Sequence, residues 1–208
     1  MTVPDTWTTA GPQVAPPAPA QRQPKAHEPF DVLDRLLLHG DGTVRALLEI
    51  CTAEPIETFV TSEAGPAPAG TLIEATRQPC RREDVFAVVP AGEPVILRRS
   101  ILRGARSRLP YVSAESLLVP GCLPPEVVRQ IRSTGGSIGT ALTDHAVECR
   151  RTILTIEHGL AGALADELLT TADAPIGRRA YTIVVRGRVA VFMTETLVAG
   201  RLGAVVRT

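Results

Sequence analysis

Residues 178–198 read "RRAYTIVVRGRVAVFMTETLV", and this stretch decides the fold. Two runs rich in Val, Ile, Thr and aromatics flank a glycine, which is the pattern of two strands around a tight turn at Gly187. Side chains alternate faces along a strand. Val189, Val191, Met193, Glu195 and Leu197 therefore share one face of the second strand, and Ala190, Phe192, Thr194, Thr196 and Val198 share the other. Glu195 falls on the more apolar of the two. An ionised carboxylate there is costly unless it is paired, hydrogen-bonded or protonated.

Upstream, "PVILRRSILRG" (94–104) and "YVSAESLLVP" (111–120) are joined by "ARSRLP", a second hairpin. On its first strand Ile96, Arg98, Ser100 and Leu102 share a face, with Val95, Leu97, Arg99, Ile101 and Arg103 opposite. One of the two adjacent arginines must point into the core side, where a guanidinium needs an anion. "ECRRTILTIE" (148–157) is a further strand, and "EPIETFVTSE" (54–63) is extended, followed by "AGPAPAG" (64–70) as a loop. Helical spacing marks "PFDVLDRLLLHGDG" (29–42), with Gly40 as a stop. It also marks "DGTVRALLEICTA" (41–53), capped by Asp41 or Thr43. "LPPEVVRQIRST", "GGSIGTALTDHAV" and "GLAGALADELLT" complete the helices, the prolines of the first sitting at its start. Hairpins rather than regular βαβ repeats predict an α+β fold with an antiparallel β-sheet flanked by helices.

The chain has 208 residues, 44% of them apolar and only 3% aromatic, so one core of Leu, Val, Ile and Ala is expected. Residues 1–28, dominated by Pro and Ala without a period, read as a disordered tail, leaving 29–208 as the domain. Lys+Arg and Asp+Glu are both 22, a formal net charge of zero that removes the long-range attraction a general nucleic-acid binder relies on. The four cysteines, Cys51, Cys80, Cys122 and Cys149, are far apart, and the histidines form no ligand spacing, so neither metal nor disulfide framework is expected. No signal peptide and no apolar run of about 18 residues stand out, which makes a cytoplasmic protein without a membrane partner the expectation. The sequence sets no oligomeric state.

An inward Arg98 and an inward Glu195 are open to two interpretations. The commoner is a structural ion pair. The sharper is a pocket in which Arg98 grips a carboxylate ligand bidentately and Glu195 faces a hydroxyl or ether oxygen.

The ordered series "DGTVRALLE", "VILRRSILRG", "SAESLLVP", "SIGTAL", "ECRRTILTI" and "RGRVAVFMTE" resembles the chorismate pyruvate-lyase family, and within it the actinobacterial branch that makes 4-hydroxybenzoate. The resemblance spans about residues 29–198. It implies an antiparallel sheet with an internal, largely closed ligand cavity, and conversion of chorismate to 4-hydroxybenzoate and pyruvate with no metal or organic cofactor. It carries the family's ring-carboxylate arginine onto Arg98 and its catalytic glutamate onto Glu195. It carries a ligand-holding backbone N–H onto Ile138 before Gly139, and the cavity cover with another N–H onto Thr43, Val44 and Arg45. Val44 stands where a Met is usual, Arg45 where a Thr is usual, and Ile138 where a Leu is usual. Arg178 and Arg179 match a basic pair, either of which is a candidate for the second carboxylate of chorismate. Glu115 matches the actinobacterial branch without an assigned role.

Two further functions stay open at this point. One is a non-catalytic binder of aromatic acids, since the fold also resembles effector-binding domains of bacterial transcription regulators. The other is a lyase-like enzyme for a different chorismate-derived substrate.

Overall fold

The structure, a computed structural model, describes residues 29–40, 42–72, 75–76, 89, 92–133 and 135–206. The tail expected over 1–28 and the residues Asp41 and Cys80 lie outside the described residues.

The hairpin quoted above forms β5 (Pro175–Val185) and β6 (Arg188–Val198). Its turn residues Arg186 and Gly187 have φ of 49° and 76°. Two left-handed residues in succession give the turn whose twist matches paired strands, and glycine takes the second at no steric cost. β6 is an interior strand because its free edge pairs with β3 (Pro110–Leu118). Outward from it lie β2 (Pro94–Gly104) and β1 (Ile56–Pro68) on one side, and β4 (Cys149–Leu160) beyond β5 on the other. The order is β1-β2-β3-β6-β5-β4, with every pairing antiparallel.

The helices are α1 (Val32–His39), α2 (Val44–Thr52), α3 (Ala69–Leu72), α4 (Pro125–Arg132), α5 (Ile138–Asp144) and α6 (Arg201–Val206). α1 starts with a capping box: Asp34 N–H donates to Asp31 and Asp31 N–H donates to Asp34. The Asp34 carboxylate also accepts from Gly200 N at 2.6 Å, which ties α1 to the turn before α6. α4 has Pro125 in its first turn, where no N–H is missed. This is an α+β fold with an antiparallel sheet and flanking helices.

Two expectations change. "AGPAPAG" is not a loop throughout: β1 runs on to Pro68, with a shift of register between Ala64 and Ala67. β1 is an edge strand, where a proline costs no ladder hydrogen bond if its nitrogen faces away from the partner. "GLAGALADELLT" forms a 3-10 turn at Gly162–Leu164 and successive turns rather than a helix. Backbone at Gly162 (φ 51°) and Leu169 (φ 47°) is left-handed, which interrupts an α-helix at both ends.

Helices cover one sheet face in two groups. α4 and α5 pack with Ile96, Leu118, Ile183 and Val191. α1, α2 and α6 pack with Leu102, Val112 and Leu197. The middle rows of the same face lie between these two clusters, and there the site is found. The opposite face buries Val95, Leu97, Leu117 and Phe192. Among the described residues Cys51, Cys122 and Cys149 are free thiols. No helix among the described residues is long and apolar enough to cross a membrane.

Candidate ligand cavity and active site

Register places the site. Arg98 on β2 lies opposite Ser116 on β3, Ser116 opposite Met193 on β6, and Met193 opposite Tyr181 on β5. One pair further along, Ser100, Ala114, Glu195 and Arg179 form the next row. Alternation turns these two rows to the helix-covered face. They floor a cavity that Arg98, Ser100, Ala114, Ser116, Met193 and Glu195 line from the sheet. Val44 and Arg45 of α2 and Ile138 and Gly139 of α5 line it from above. Its free space is about 60 Å³, room for a few waters.

Arg98, Glu195, Ile138 and Val44, together with Thr43, Arg45 and Gly139, therefore border one cavity, whereas Glu115, Arg178 and Arg179 are not in its lining. Arg98 and Glu195 are not, however, each other's ion-pair partner. The neighbouring strand supplies Glu195 with its cation: Arg179 Nε donates to Oε2 at 2.8 Å, and Nη2 lies at ion-pair distance, 2.8 Å, from the same oxygen. Oε1 accepts from the Tyr181 hydroxyl at 3.1 Å. Two hydrogen bonds and an ion pair thus converge on one carboxylate, the compensation that a buried charge requires. Arg179 Nη1 donates to Gly40 O at 2.6 Å, so the pair also anchors the end of α1. Tyr181 is fully buried, and burial first, the Glu195 charge second, push its phenol well above the usual range. It stays neutral and donates.

Arg98 is 2% exposed. Its Nη1 donates to Ile131 O and its Nη2 to Gly136 O at 2.7 Å, the carbonyls at the end of α4 and in the loop to α5. Burial lowers its pKa, and the charge of Glu63 works against that. The guanidinium thus both borders the cavity and holds the loop that leads into Ile138.

Val44 and Ile138 are the first residues of their helices, where backbone N–H groups have no partner within the helix. The preceding residues, Thr43 and Ser137, make no side-chain cap hydrogen bond in either helix. Both helix starts thus carry uncapped turns at the cavity wall.

The basic pair 178–179 divides between the two faces. Arg179 serves Glu195, while Arg178 Nε donates to Thr196 on the other face at 3.2 Å. Sequence reasoning missed Arg179 and Tyr181 as the partners of Glu195. The signal was present in the hairpin: counting outward from the turn brings Arg179 and Tyr181 to β6 around Glu195, once one irregularity between Ile183 and Val184 is allowed. It also missed Arg151 of β4, which lines the cavity. Among the described residues no group of three or more His, Cys, Asp or Glu is placed to hold a metal ion.

Residues 38–199 match the family model "Chorismate pyruvate-lyase Rv2949c-like", and the chain belongs to that family. No curated protein matches the sequence. Solved structures share the fold at low identity. The effector domain of PhnF from Mycobacterium smegmatis is 16% identical with a TM-score of 0.56, covering 79% of this chain and 92% of that one. The full PhnF structure from the same organism gives 16% identity and a TM-score of 0.56, over 78% of this chain and 66% of that one. A putative regulator from Escherichia coli CFT073 is 14% identical with a TM-score of 0.50, over 68% and 95% of the two chains.

Proposed function

We propose that this protein is a chorismate pyruvate-lyase, releasing 4-hydroxybenzoate and pyruvate. The observation that carries the proposal is a buried glutamate, braced by Arg179 and Tyr181, in the same cavity as the buried Arg98. A hydroxyl as well as an arginine orients the carboxylate, and it borders open space.

The reaction asks for little chemical machinery. The bond between ring carbon 3 and the ether oxygen breaks, and its electron pair leaves with the enolpyruvate. The hydrogen on carbon 4 departs as a proton and aromatises the ring. A proton added to the enolpyruvate methylene gives pyruvate. No electrons are gained or lost overall. The protein must bind the reactive conformer, exclude water and stabilise charge on the departing oxygen. Arg98 takes the ring carboxylate, with the first-turn amides of Val44 and Ile138 beside it. Glu195 accepts a hydrogen bond from the 4-hydroxyl, and Tyr181 keeps its carboxylate in the plane that this contact needs. Because the free space is small, an aromatic acid is admitted only when α2 and the loop before α5 yield. Slow product release follows from the same closure.

The test is to incubate the purified protein with chorismate and follow both products by chromatography. Equimolar 4-hydroxybenzoate and pyruvate, even for one turnover, support the lyase. The fold shared with the PhnF effector domain keeps a second function in view, a binder of aromatic acids. Retention of 4-hydroxybenzoate with no product from chorismate favours that function. Neither product nor binding overturns both.

A further inference from the structure

A dianionic substrate needs a second cation, and position within the cavity selects it. Four arginines come near the cavity besides Arg98 or flank its rows: Arg45, Arg151, Arg178 and Arg179. Arg178 faces the opposite side of the sheet. Arg179 lies against Glu195 and Gly40 and does not line the cavity. Arg45 stands on α2, at the helix side of the cavity rather than on the sheet, with its Nε on Glu49 at 3.0 Å.

Arg151 differs by location. It sits on β4, opposite Ile183 of β5, and lines the cavity from the wall facing Arg98. Its charge is felt at the Tyr181 hydroxyl, the group that donates to Glu195. Its Nη2 would lie 3.8 Å from a Cβ at position 139, where Thr43 would come within 3.2 Å. Gly139 thus leaves open the point at which α2, α5 and Arg151 converge. β2 and β4 are four strand spacings apart, roughly 19 Å, so Arg98 and Arg151 come to the cavity from opposite sides of the sheet.

The chemistry of the substrate matches this layout. In chorismate the enolpyruvyl ether is on carbon 3, next to the hydroxyl-bearing carbon 4 and away from the ring carboxylate on carbon 1. If Arg98 takes the ring carboxylate and Glu195 the hydroxyl, the second carboxylate falls on one flank of the ring, and the flank towards β5 and β4 carries Tyr181 and Arg151. We infer that Arg151 binds the enolpyruvyl carboxylate, so that the cavity is a receptor for a dicarboxylate with one cation on each wall. This rests on the lyase proposal and extends it. It also separates substrate from product: chorismate engages both arginines, 4-hydroxybenzoate only Arg98. Loss of pyruvate would then loosen the hold of the wall on which Arg151 stands.

The experiment compares wild type with Arg151→Gln and Arg151→Lys. Two quantities are measured for each: KM for chorismate, and inhibition by 4-hydroxybenzoate. Calorimetric binding of 3-(carboxymethoxy)-4-hydroxybenzoate, a stable aromatic dicarboxylate, is measured beside them. Arg151→Gln is expected to raise KM and weaken the dicarboxylate by about ten-fold or more, as loss of a charge-assisted pair does. Inhibition by 4-hydroxybenzoate should change by less than about three-fold, and Arg151→Lys should recover part of the loss. A parallel weakening of monocarboxylate and dicarboxylate would overturn the inference, because that is the mark of a merely structural arginine. An unchanged dicarboxylate affinity would overturn it too. Failure of the lyase proposal is visible separately, as wild-type protein that forms no product from chorismate, while the dicarboxylate arm needs no turnover.

Discussion

Among the described residues, two arginine–glutamate ion pairs with a buried glutamate cross this sheet as rungs, one on each face. Arg179 faces Glu195 across β5 and β6, and Arg99 faces Glu115 across β2 and β3. Each is a directly opposed cross-strand pair, with nitrogen–oxygen distances of 2.8 Å and 2.7 Å. In both the glutamate is buried. They differ in what surrounds them. Glu195 also receives a tyrosine hydroxyl and borders a cavity beneath two uncapped helix starts. Arg99 reaches the Ala75 carbonyl, and its pair borders a hollow of about 330 Å³ walled by Leu160–Leu164. The hollow on that face is larger than the cavity beside Glu195. Size therefore does not identify a site; convergent polar groups do. Buried ion pairs are weak evidence for stability by themselves, and the two rungs set the same pair in different surroundings.

The sharpest way to break this comparison is to neutralise both glutamates in turn. Glu195→Gln should lower kcat on chorismate by about 100-fold or more, the scale of losing a positioned polar catalyst. Glu115→Gln should leave kcat within about three-fold. Equal losses would mean that both rungs are structural. Arg98→Lys comes next. It keeps a charge but loses the fork that reaches Ile131 O and Gly136 O. Affinity for 4-hydroxybenzoate should fall by roughly 30-fold, about 2 kcal/mol, with a lower melting temperature as the loop before α5 loosens. Full affinity in a folded variant would remove Arg98 from the site.

A third carboxylate sets the scale for a purely structural role. Glu54 accepts from Ser107 Oγ at 2.6 Å, from Arg106 N and Ser107 N at 3.0 Å, and from the Tyr111 hydroxyl at 3.2 Å. The Ser107 hydroxyl first, with the backbone donors and Tyr111 adding to it against burial, pulls its pKa down to about 2. A depressed carboxylate contributes stability above its unfolded pKa, and that contribution disappears as pH falls through the folded one. Glu54→Gln should cost about 2 kcal/mol at pH 7. The gap to wild type should narrow as pH drops from about 4.5 towards 2, measured by denaturant unfolding. A gap independent of pH would show that packing, not charge, holds this turn. The smallest effect is expected at Tyr181→Phe, a few-fold loss of kcat with KM little changed, since Arg179 still holds Glu195. Because the phenol is raised by burial and by the Glu195 charge, the wild-type pH profile should show no limb from Tyr181 between pH 6 and 9; a limb that Tyr181→Phe abolishes would contradict this.

How much of this was legible beforehand varies by element. The last hairpin was, because period-two alternation and a glycine turn are local signals. So was the opposed facing of Arg98 and Arg99, since adjacent strand residues alternate; that Arg98 is the inward one came from the resemblance and not from the alternation. The 64–68 extension of β1 was not, because proline and glycine favour loops unless a sheet edge recruits them. The segment 159–170 misled in the opposite direction: its helical spacing lost to left-handed backbone at Gly162 and Leu169.

The sequence by itself determined the α+β class, the antiparallel hairpins, and the family, because alternation, turns and ordered motifs are written along the chain. Tertiary structure alone decided which arginine answers Glu195. Strand order and register are set by packing of whole faces, and they put Arg179 opposite Glu195 while Arg98, on β2, turned to the carbonyls of Ile131 in α4 and Gly136 in the loop before α5. It also brought Arg151 to the far wall, since pairing across five strands, and no local pattern, joins β2 to β4 over one cavity.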